Sequence, residues 1–501
     1  MDVLHNLQHG FALALTPYNI WMAVVGCFFG TIIGILPGLG PSATIAMLLP
    51  FTFGMSPVPA MIMLCAIVYG SKYGGSTTSI LISVPGENAS VVTTFDGYQM
   101  ALQGRAGAAL GISAIGSFIG GVIGMFGLIF VCVPLVEFSL KFGPAEYYSL
   151  IIMGMLTVVF VGGKSIIKSL MSAAIGLGLG LVGSVVVQGA PRFVYGIPEL
   201  MDGVPFIVVV MGLFGISEVL ESAEEQMKMD SIRVPFSRLW PSLSDIFQAR
   251  WAILRGTVIG FFIGVLPGAG STLSSFISYG VEKSVSKHPE RFGKGAVEGV
   301  AGPETANNAA CSGEMVPLLG LGIPSSGSNA MLLGGMMLYG LRPGPMLFQT
   351  NPDFVWTVIA SMFIGNFILI IMNLPMVPLF AYTLRLPYSI LYPAILLICM
   401  VGVYTLNNHM FDVWAMLILG VAGYLMKKYD IPGAPMVIGL ILGPILEQSM
   451  YRALSLAHGD ITTFVTRPIS AVLLCISLVM SLAVLFKTIK QVRKQVADDQ
   501  S

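Results

Sequence analysis

Two stretches decide the fold: GCFFGTIIGILPGLG at 26–40 and GTVIGFFIGVLPGAG at 256–270. They align at a constant offset of 230, and eight of fifteen positions are identical: Gly26/Gly256, Gly30/Gly260, Ile33/Ile263, Gly34/Gly264, Leu36/Leu266, Pro37/Pro267, Gly38/Gly268 and Gly40/Gly270. Glycine abundance alone aligns a few such positions, but a shared LPGxG after a shared GxxxGxxxG ladder points to internal duplication. A weaker pair extends it. Gly74 lies eleven residues before Pro85 in GGSTTSILISVPGENAS, and Gly313 lies eleven before Pro324 in GEMVPLLGLGIPSSGSNA. The offset there is 239, so the second half gains nine residues, for which the polar stretch Lys283–Lys294 is the natural source.

The composition around these stretches is that of a membrane protein. Of 501 residues 55% are hydrophobic and only 10% charged, whereas a soluble domain carries roughly 25% charged residues to face water. A hydrocarbon core of about 30 Å needs about 20 helical residues, so the length has room for roughly ten to thirteen crossings. The apolar runs are long, unlike the short alternating strands of an outer-membrane barrel. The expected fold is an all-α integral membrane protein of roughly 10–13 transmembrane helices, with two inverted repeats and discontinuous, re-entrant helices at LPGLGP and LPGAGS.

The chain divides into a first repeat at 1–220, a polar linker at 221–250, a second repeat at 251–387, and additional C-terminal transmembrane helices with a basic tail at 388–501. The linker, ESAEEQMKMDSIRVPFSRLWPSLSDIFQAR, is the most polar stretch, and its positive charges favour the cytoplasm. The run Ala471–Phe486 is followed by Lys487, Lys490, Arg493 and Lys494, which places the C-terminus in the cytoplasm. The first basic side chain is Lys72, so the start lacks the n-region of a cleaved signal and is read as mature protein with a periplasmic N-terminus. The crossing number is then odd.

Each LPGxG interrupts an apolar stretch, because Pro37 and Pro267 begin Gly-rich breaks. In lipid an unsatisfied amide or carbonyl costs several kcal/mol, so irregular backbone is tolerated only inside protein or against a water-filled cavity. Paired breaks at matching positions of two halves are the best sequence pointer to a transporter's binding site. Free N–H groups at helix ends attract carboxylates, and free carbonyls near Pro37–Gly40 and Pro267–Gly270 suit sodium.

The candidate substrate-binding residues are Pro37, Gly38, Leu39, Gly40, Ser42, Ser76, Thr77 and Asn88 in the first half. In the second they are Pro267, Gly268, Ala269, Gly270, Ser271, Thr272, Asn307, Asn308, Ser325, Ser326, Ser328 and Asn329. Any single hydroxyl in a membrane helix more often bonds its own backbone, so the cluster carries the reading. The ladders themselves are read as helix packing. Lys72, Glu87, Glu304, Glu314 and Arg342 flank the breaks, with an interfacial position the plain expectation for Lys72, Glu87 and Arg342.

Other classes fit poorly. Lys+Arg and Asp+Glu are both 25, giving no basis for nucleic-acid binding. VVFVGGKS at 158–165 imitates a phosphate loop, but Val158 replaces its first glycine. GLGLGLVG at 176–183 sits in an apolar helix rather than after a strand. The five histidines and six cysteines show no metal-ligand or redox spacing. No enzyme is expected, and no covalent cofactor. A broken-helix channel and a proton-coupled carrier remain as alternatives.

The stretches GTIIGILPGLGPSATIAMLLP (30–50), YGGSTTSILISVPGENA (73–89), FDGYQMALQGRAG (95–107), FGPAEYY (142–148), GFFIGVLPGAGSTLSS (260–275), FGKGAVEGVAGPETANNAA (292–310) and LGIPSSGSNAMLLGGMMLYGLRPGP (321–345) closely resemble the large membrane subunit of bacterial tripartite tricarboxylate transporters, the TctA family. The resemblance implies a sodium-dependent importer of the bacterial inner membrane. Its implied partners are a periplasmic solute-binding protein that delivers a carboxylate and a small four-helix membrane subunit. It also implies an elevator-type transport domain. Citrate is the family's namesake substrate, and similar subunits serve other carboxylates.

Overall fold

The computed structural model describes residues 3–36, 39–161, 165–185, 189–224, 240–268, 270–376 and 388–498, with backbone alone at 161, 388–391 and 484–498. Pro37, Gly38, Ala269 and linker residues 225–239 lie outside the described residues. In chain order the principal helices are α1 (Val3–Ala14), α2 (Pro17–Ile35), α3 (Pro41–Leu48), α4 (Pro57–Ile82), α5 (Ala106–Ser139), α6 (Pro144–Val161), α7 (Ile166–Gly180), α8 (Phe206–Glu224), α9 (Leu243–Val265), α10 (Gly270–Val285), α11 (Val297–Leu321), α12 (Gly327–Leu338), α13 (Pro352–Asn373), α14 (Tyr388–Asn407), α15 (Met410–Lys428), α16 (Gly433–Leu456) and α17 (Pro468–Asp498). Among the described residues the strands form one two-residue pairing, Gly183–Ser184 against Pro191–Arg192.

Among the described residues seven helices, α2, α5, α8, α9, α13, α15 and α16, are long and apolar enough to cross a membrane, and shorter apolar helices accompany them. The protein is an all-α, multi-pass membrane protein. Proline opens α2, α3, α4 and α13, where its missing N–H has no intrahelical partner to lose.

The glycine ladders are contact surfaces. Gly26, Gly30 and Gly34 of α2 lie against the backbone of Met63, Ile67 and Ser71 on α4. Gly256, Gly260 and Gly264 of α9 lie against Gly302, Ala306 and Ala310 on α11. A methyl at Gly30 would stand 2.8 Å from the Ile67 Cα, and one at Gly260 2.6 Å from the Ala306 Cα. Only glycine lets these backbones approach so closely. The partners on α4 and α11 differ in number by 239, the offset of the weaker sequence pair. The register repeats again where Gly74 meets Thr31 and Gly313 meets Phe261.

Residue numbers rise together along α2 and α4, and along α9 and α11, so each pair is parallel. A chain joining two parallel helices must return between them, and α3 and α10 make that return. The direction of the chain therefore reverses at both LPGxG segments. The reversals begin alike: Leu36 (φ −77°, ψ 118°) and Leu266 (φ −77°, ψ 121°) leave the helix in extended conformation, their N–H groups bonded to Ile33 O and Ile263 O. α4 and α11 also end alike, with Ser83 at φ 58° and Gly322 at φ 75° in the left-handed region.

The chain forms two compact units, Met1–Glu137 with Phe206–Met426, and Phe138–Pro205 with Lys427–Ser501. The first contains both breaks. In the second, α6 and α7 pack with α16 and α17. Arg192 makes a two-pronged bond to Glu447 (2.7 and 2.9 Å), Arg467 Nε donates to Glu146 Oε1 at 2.7 Å, and Gly176 lies against the Met436 backbone. Leu243–Arg250, the end of the polar linker, forms the opening turns of α9, capped by the reciprocal Ser242 and Asp245 bonds.

Candidate functional site

α4 and α11 are the central helices of the first unit. Every residue from Pro59 to Leu81 and from Gly299 to Gly320 is buried, although the sequences SKYGGSTTS and ETANNAACSGE are rich in polar groups. Pro303 and Pro317 bracket this part of α11, each removing an intrahelical hydrogen bond. The two helices cross with opposed numbering. Ser76 meets Glu304 and Lys72 meets Asn307, while Cys65 and Met315 line one small void. They are thus antiparallel.

Lys72 is 1% exposed, and Glu304 and Glu314 are likewise 1% exposed. The interfacial expectation for Lys72 is therefore overturned: its stem lies among α4 and α11 rather than reaching outward. Lys72 Nζ donates to Asn307 Oδ1 at 3.2 Å, and Asn307 Nδ2 donates to Glu87 Oε1 at 2.7 Å. Glu87 is half-buried and draws Lys72, through Asn307, into one chain of polar groups, so it too departs from a plain interfacial role. Arg342 is exposed. One ammonium accompanies three carboxylates, those of Glu87, Glu304 and Glu314, in this centre. With all of them ionised it carries excess negative charge, which low-dielectric surroundings disfavour unless cations or protons join it.

The second break sits against this centre. Gly268 (φ 81°) donates its N–H to Ser325 O at 3.0 Å, and a Cβ at Gly270 (φ 57°) would stand 3.6 Å from Glu314 Oε1. Ser326 Oγ donates to Glu314 Oε2 at 2.7 Å and lies 3.1 Å from Ser328 Oγ, while Asn329 Nδ2 donates to Glu314 O at 2.9 Å. Among the described residues Glu314 Oε1 and Ser325 Oγ are buried without a hydrogen-bond partner. A void of about 10 Å³ lies beside Glu314, Cys311, Tyr69 and Asn329, roughly the room for one water-sized particle. Glu314 and Asn329 are the carboxylate and amide that line this space, whose other walls include Val68, Met315 and Leu332, and a carboxylate oxygen lacking a donor is the ligand type a hard cation takes.

Of the remaining sequence candidates, Leu39 is buried, Gly40 caps α3, and Pro267, Ser42, Ser271 and Thr272 are half-buried. Thr77 spends its hydroxyl on Tyr73 O at 3.1 Å, and Asn88 is exposed. Asn308 Nδ2 donates to Glu304 O at 3.3 Å, and its Oδ1 has no partner among the described residues. The helix after each break packs on the segment that follows the other half's central helix: α3 on α12, and α10 on the turn Asn88–Ser90. In that turn Glu87 holds the position before the first turn that Ser326 holds before α12.

Two roomier cavities lie apart from the charged centre. One of about 320 Å³ is wholly apolar, bounded by Val25, Phe29, Leu36, Phe51, Met63 and Ile395; nothing in it recognises an anion. The other, about 500 Å³ and open, is bounded by Ser83, Thr94, Tyr98, Gln99, Tyr279 and Lys283. Beside it Asp96 is fully buried: Oδ1 accepts N–H bonds from Gly293, Gly295 and Ala296 at 2.9, 2.8 and 2.7 Å, and Oδ2 accepts from Tyr279 OH at 2.9 Å. This carboxylate ties the entry of α11 to the first half.

Residues 20–438 match the family described as tripartite tricarboxylate transporter TctA family. An uncharacterized 52.8 kDa protein in the TAR-I ttuC' 3'region of Agrobacterium vitis is 44% identical over 496 residues, covering 99% of both chains. A second protein of Agrobacterium vitis, in the TAR-II ttuC' 3'region, is 46% identical over 237 residues, 47% of this chain and 98% of its own. No solved structure matches. A transporter family, not an enzyme family, thus accounts for nearly the whole chain: it belongs to the tripartite tricarboxylate transporter TctA family.

Proposed function

We propose that the chain is the substrate-translocating subunit of a binding-protein-dependent tripartite transporter. In this reading it carries a di- or tricarboxylate with sodium across the bacterial inner membrane. The observation that carries it is the buried charged centre held between two chain reversals, in a chain of a transporter family. Each reversal is read as a re-entrant hairpin whose freed N–H groups face the carboxylate. Sodium is assigned to the Glu314 and Ser325 oxygens beside the second hairpin, with the Pro267–Gly270 carbonyls; the corresponding turn at Pro37–Gly40 serves the first half. The family further suggests a periplasmic solute-binding protein and a small membrane subunit as partners.

The halves are proposed to be inverted about an axis in the membrane plane. Support comes from α4 and α11, which occupy equivalent places in the two halves yet run antiparallel where Ser76 meets Glu304 and Lys72 meets Asn307. That arrangement suits an elevator-type carrier, with the N-terminus periplasmic and the C-terminus cytoplasmic. A carrier rather than a channel is tested by counterflow in proteoliposomes. Internal unlabelled substrate should accelerate entry of labelled carboxylate, and flux should saturate. Unsaturable flux without counterflow would support a channel.

A further inference from the structure

Glu304 is the carboxylate of the charged centre to which the sodium assignment beside the second break gives no part. Its carboxylate is reached by hydroxyls from three other segments. Ser76 Oγ of α4 lies 2.5 Å from Oε2, Ser113 Oγ of α5 lies 3.0 Å from Oε2, and Thr93 Oγ1, just before a wide π-type turn, bonds Oε1. All four residues are at most 5% exposed. No described lysine or arginine is bonded to this carboxylate. Lys72, one turn away on α4, gives its ammonium to Asn307 instead.

Two further observations point to an absent positive partner. Among the described residues the hydroxyl of Tyr73, three positions before Ser76 on the same helix, is buried without a hydrogen-bond partner. Ser76 Oγ is also 3.0 Å from Lys72 O, and its one proton serves either that carbonyl or Glu304, not both. Turned to Lys72 O, the proton leaves a lone pair facing the carboxylate. A hydroxyl is donor and acceptor alike, so these oxygens can turn lone pairs inward towards a cation.

We propose that Glu304, Ser76, Thr93, Ser113 and Tyr73 form a second intramembrane site, for a single sodium ion. One carboxylate balances one charge, which selects a monovalent ion, and an all-oxygen set so closely spaced selects a small one. The site draws on α4, α5 and α11 together with the Thr93 turn, so the ion ties both halves to α5. Its role in coupling rests on the carrier reading above, whereas its binding is measurable without transport.

The test uses the purified full chain in lipid nanodiscs without carboxylate, titrated with Na⁺ against choline and K⁺. Thermal unfolding and bound ²²Na⁺ are read for wild type, Glu304→Gln, Ser113→Ala and Glu314→Gln. Sodium should stabilise the wild type. Glu304→Gln should bind one fewer sodium per chain, and Ser113→Ala should raise the half-saturating Na⁺ concentration about tenfold, a loss of about 1.4 kcal/mol. Glu314→Gln should leave the Glu304 site filled. If Glu304→Gln does not fold, the Ser113→Ala shift decides. Sodium stoichiometry and affinity unchanged in Glu304→Gln and Ser113→Ala would overturn the site, leaving Glu304 a hydrogen-bonded structural acid. Sodium-independent uptake alongside Glu304-dependent sodium binding would instead reject the coupling while the site stands.

Discussion

Substituting alanine at Gly30 or Gly260 tests whether the ladders are contact surfaces. At Gly30 the new methyl would stand 2.6 Å from Ile67 O and 2.8 Å from Ile67 Cα; at Gly260 it would stand 2.6 Å from Ala306 Cα. Comfortable carbon contacts are about 3.5–4.0 Å, so each helix pair would have to part by about 1 Å. The obstructing atoms are backbone and cannot rotate aside. Overpacking of this kind costs about 1–3 kcal/mol, against a gain of about 0.5–1 kcal/mol for replacing a mid-helix glycine. The net loss is on the order of 1–2 kcal/mol per site. The two sites lie in separate helix pairs, so the double variant should lose about the sum. Gly280 of α10 has no atom within 4 Å of a built Cβ, and Gly280→Ala should be neutral or slightly stabilising. The assay is thermal unfolding of the purified protein in nanodiscs, followed by size-exclusion recovery. If Gly30→Ala and Gly260→Ala are as well tolerated as Gly280→Ala, close backbone approach is not what the ladders provide.

Three other outcomes are expected. Pro267→Leu with Gly268→Leu, or Pro37→Leu with Gly38→Leu, should abolish uptake while the protein still inserts, because leucine continues the helix and fills the space that amides offer to ligand; normal uptake would remove the site from the breaks. Asp96→Ala should destabilise the first unit by about 3 kcal/mol or more, since three N–H bonds and one phenol bond to a carboxylate are lost together, while Asp96→Asn, which keeps one acceptor oxygen, should lose less in the same unfolding assay. Cysteines placed at Ser56 and Lys287, in the loops that close the two hairpins, should label from opposite sides of the membrane with an impermeant maleimide; labelling from one side would exclude inverted halves.

The breaks were legible because proline and glycine change backbone chemistry locally, and their repetition at 26–40 and 256–270 needs no knowledge of the fold. The weaker offset of 239 gained meaning only from contact, when Gly74 met Thr31 and Gly313 met Phe261. The charged centre was harder to read. α4 and α11 are buried on all sides, so neither an apolar stripe nor a long apolar run marks them. A lysine such as Lys72, at a helix position that looks interfacial from its neighbours, gives no sign of burial. The available signal was scarcity: with 10% charged residues, each Lys or Glu amid small residues deserved weight as a functional group. That α6 and α7 pack with the C-terminal helices had no local signature at all, since it depends on contacts such as that of Gly176 on α7 with the backbone of Met436 on α16, far apart in sequence.

The central claim is that a multiply charged carboxylate and sodium cross together. Each helix end contributes about 0.3–1 and at most about 2 kcal/mol towards an anion, and each uncompensated negative charge moving inward against 100 mV costs about 2.3 kcal/mol. Cations must therefore share the site, beyond the single Lys72. The direct measurement is equilibrium binding and uptake of labelled di- and tricarboxylates in proteoliposomes. The delivering protein and small subunit are supplied for uptake, with Na⁺ titrated against a large inert cation. Substrate affinity should rise with sodium, and sodium affinity with substrate, by the same factor; equal substrate affinity in sodium and in the inert cation would contradict the account.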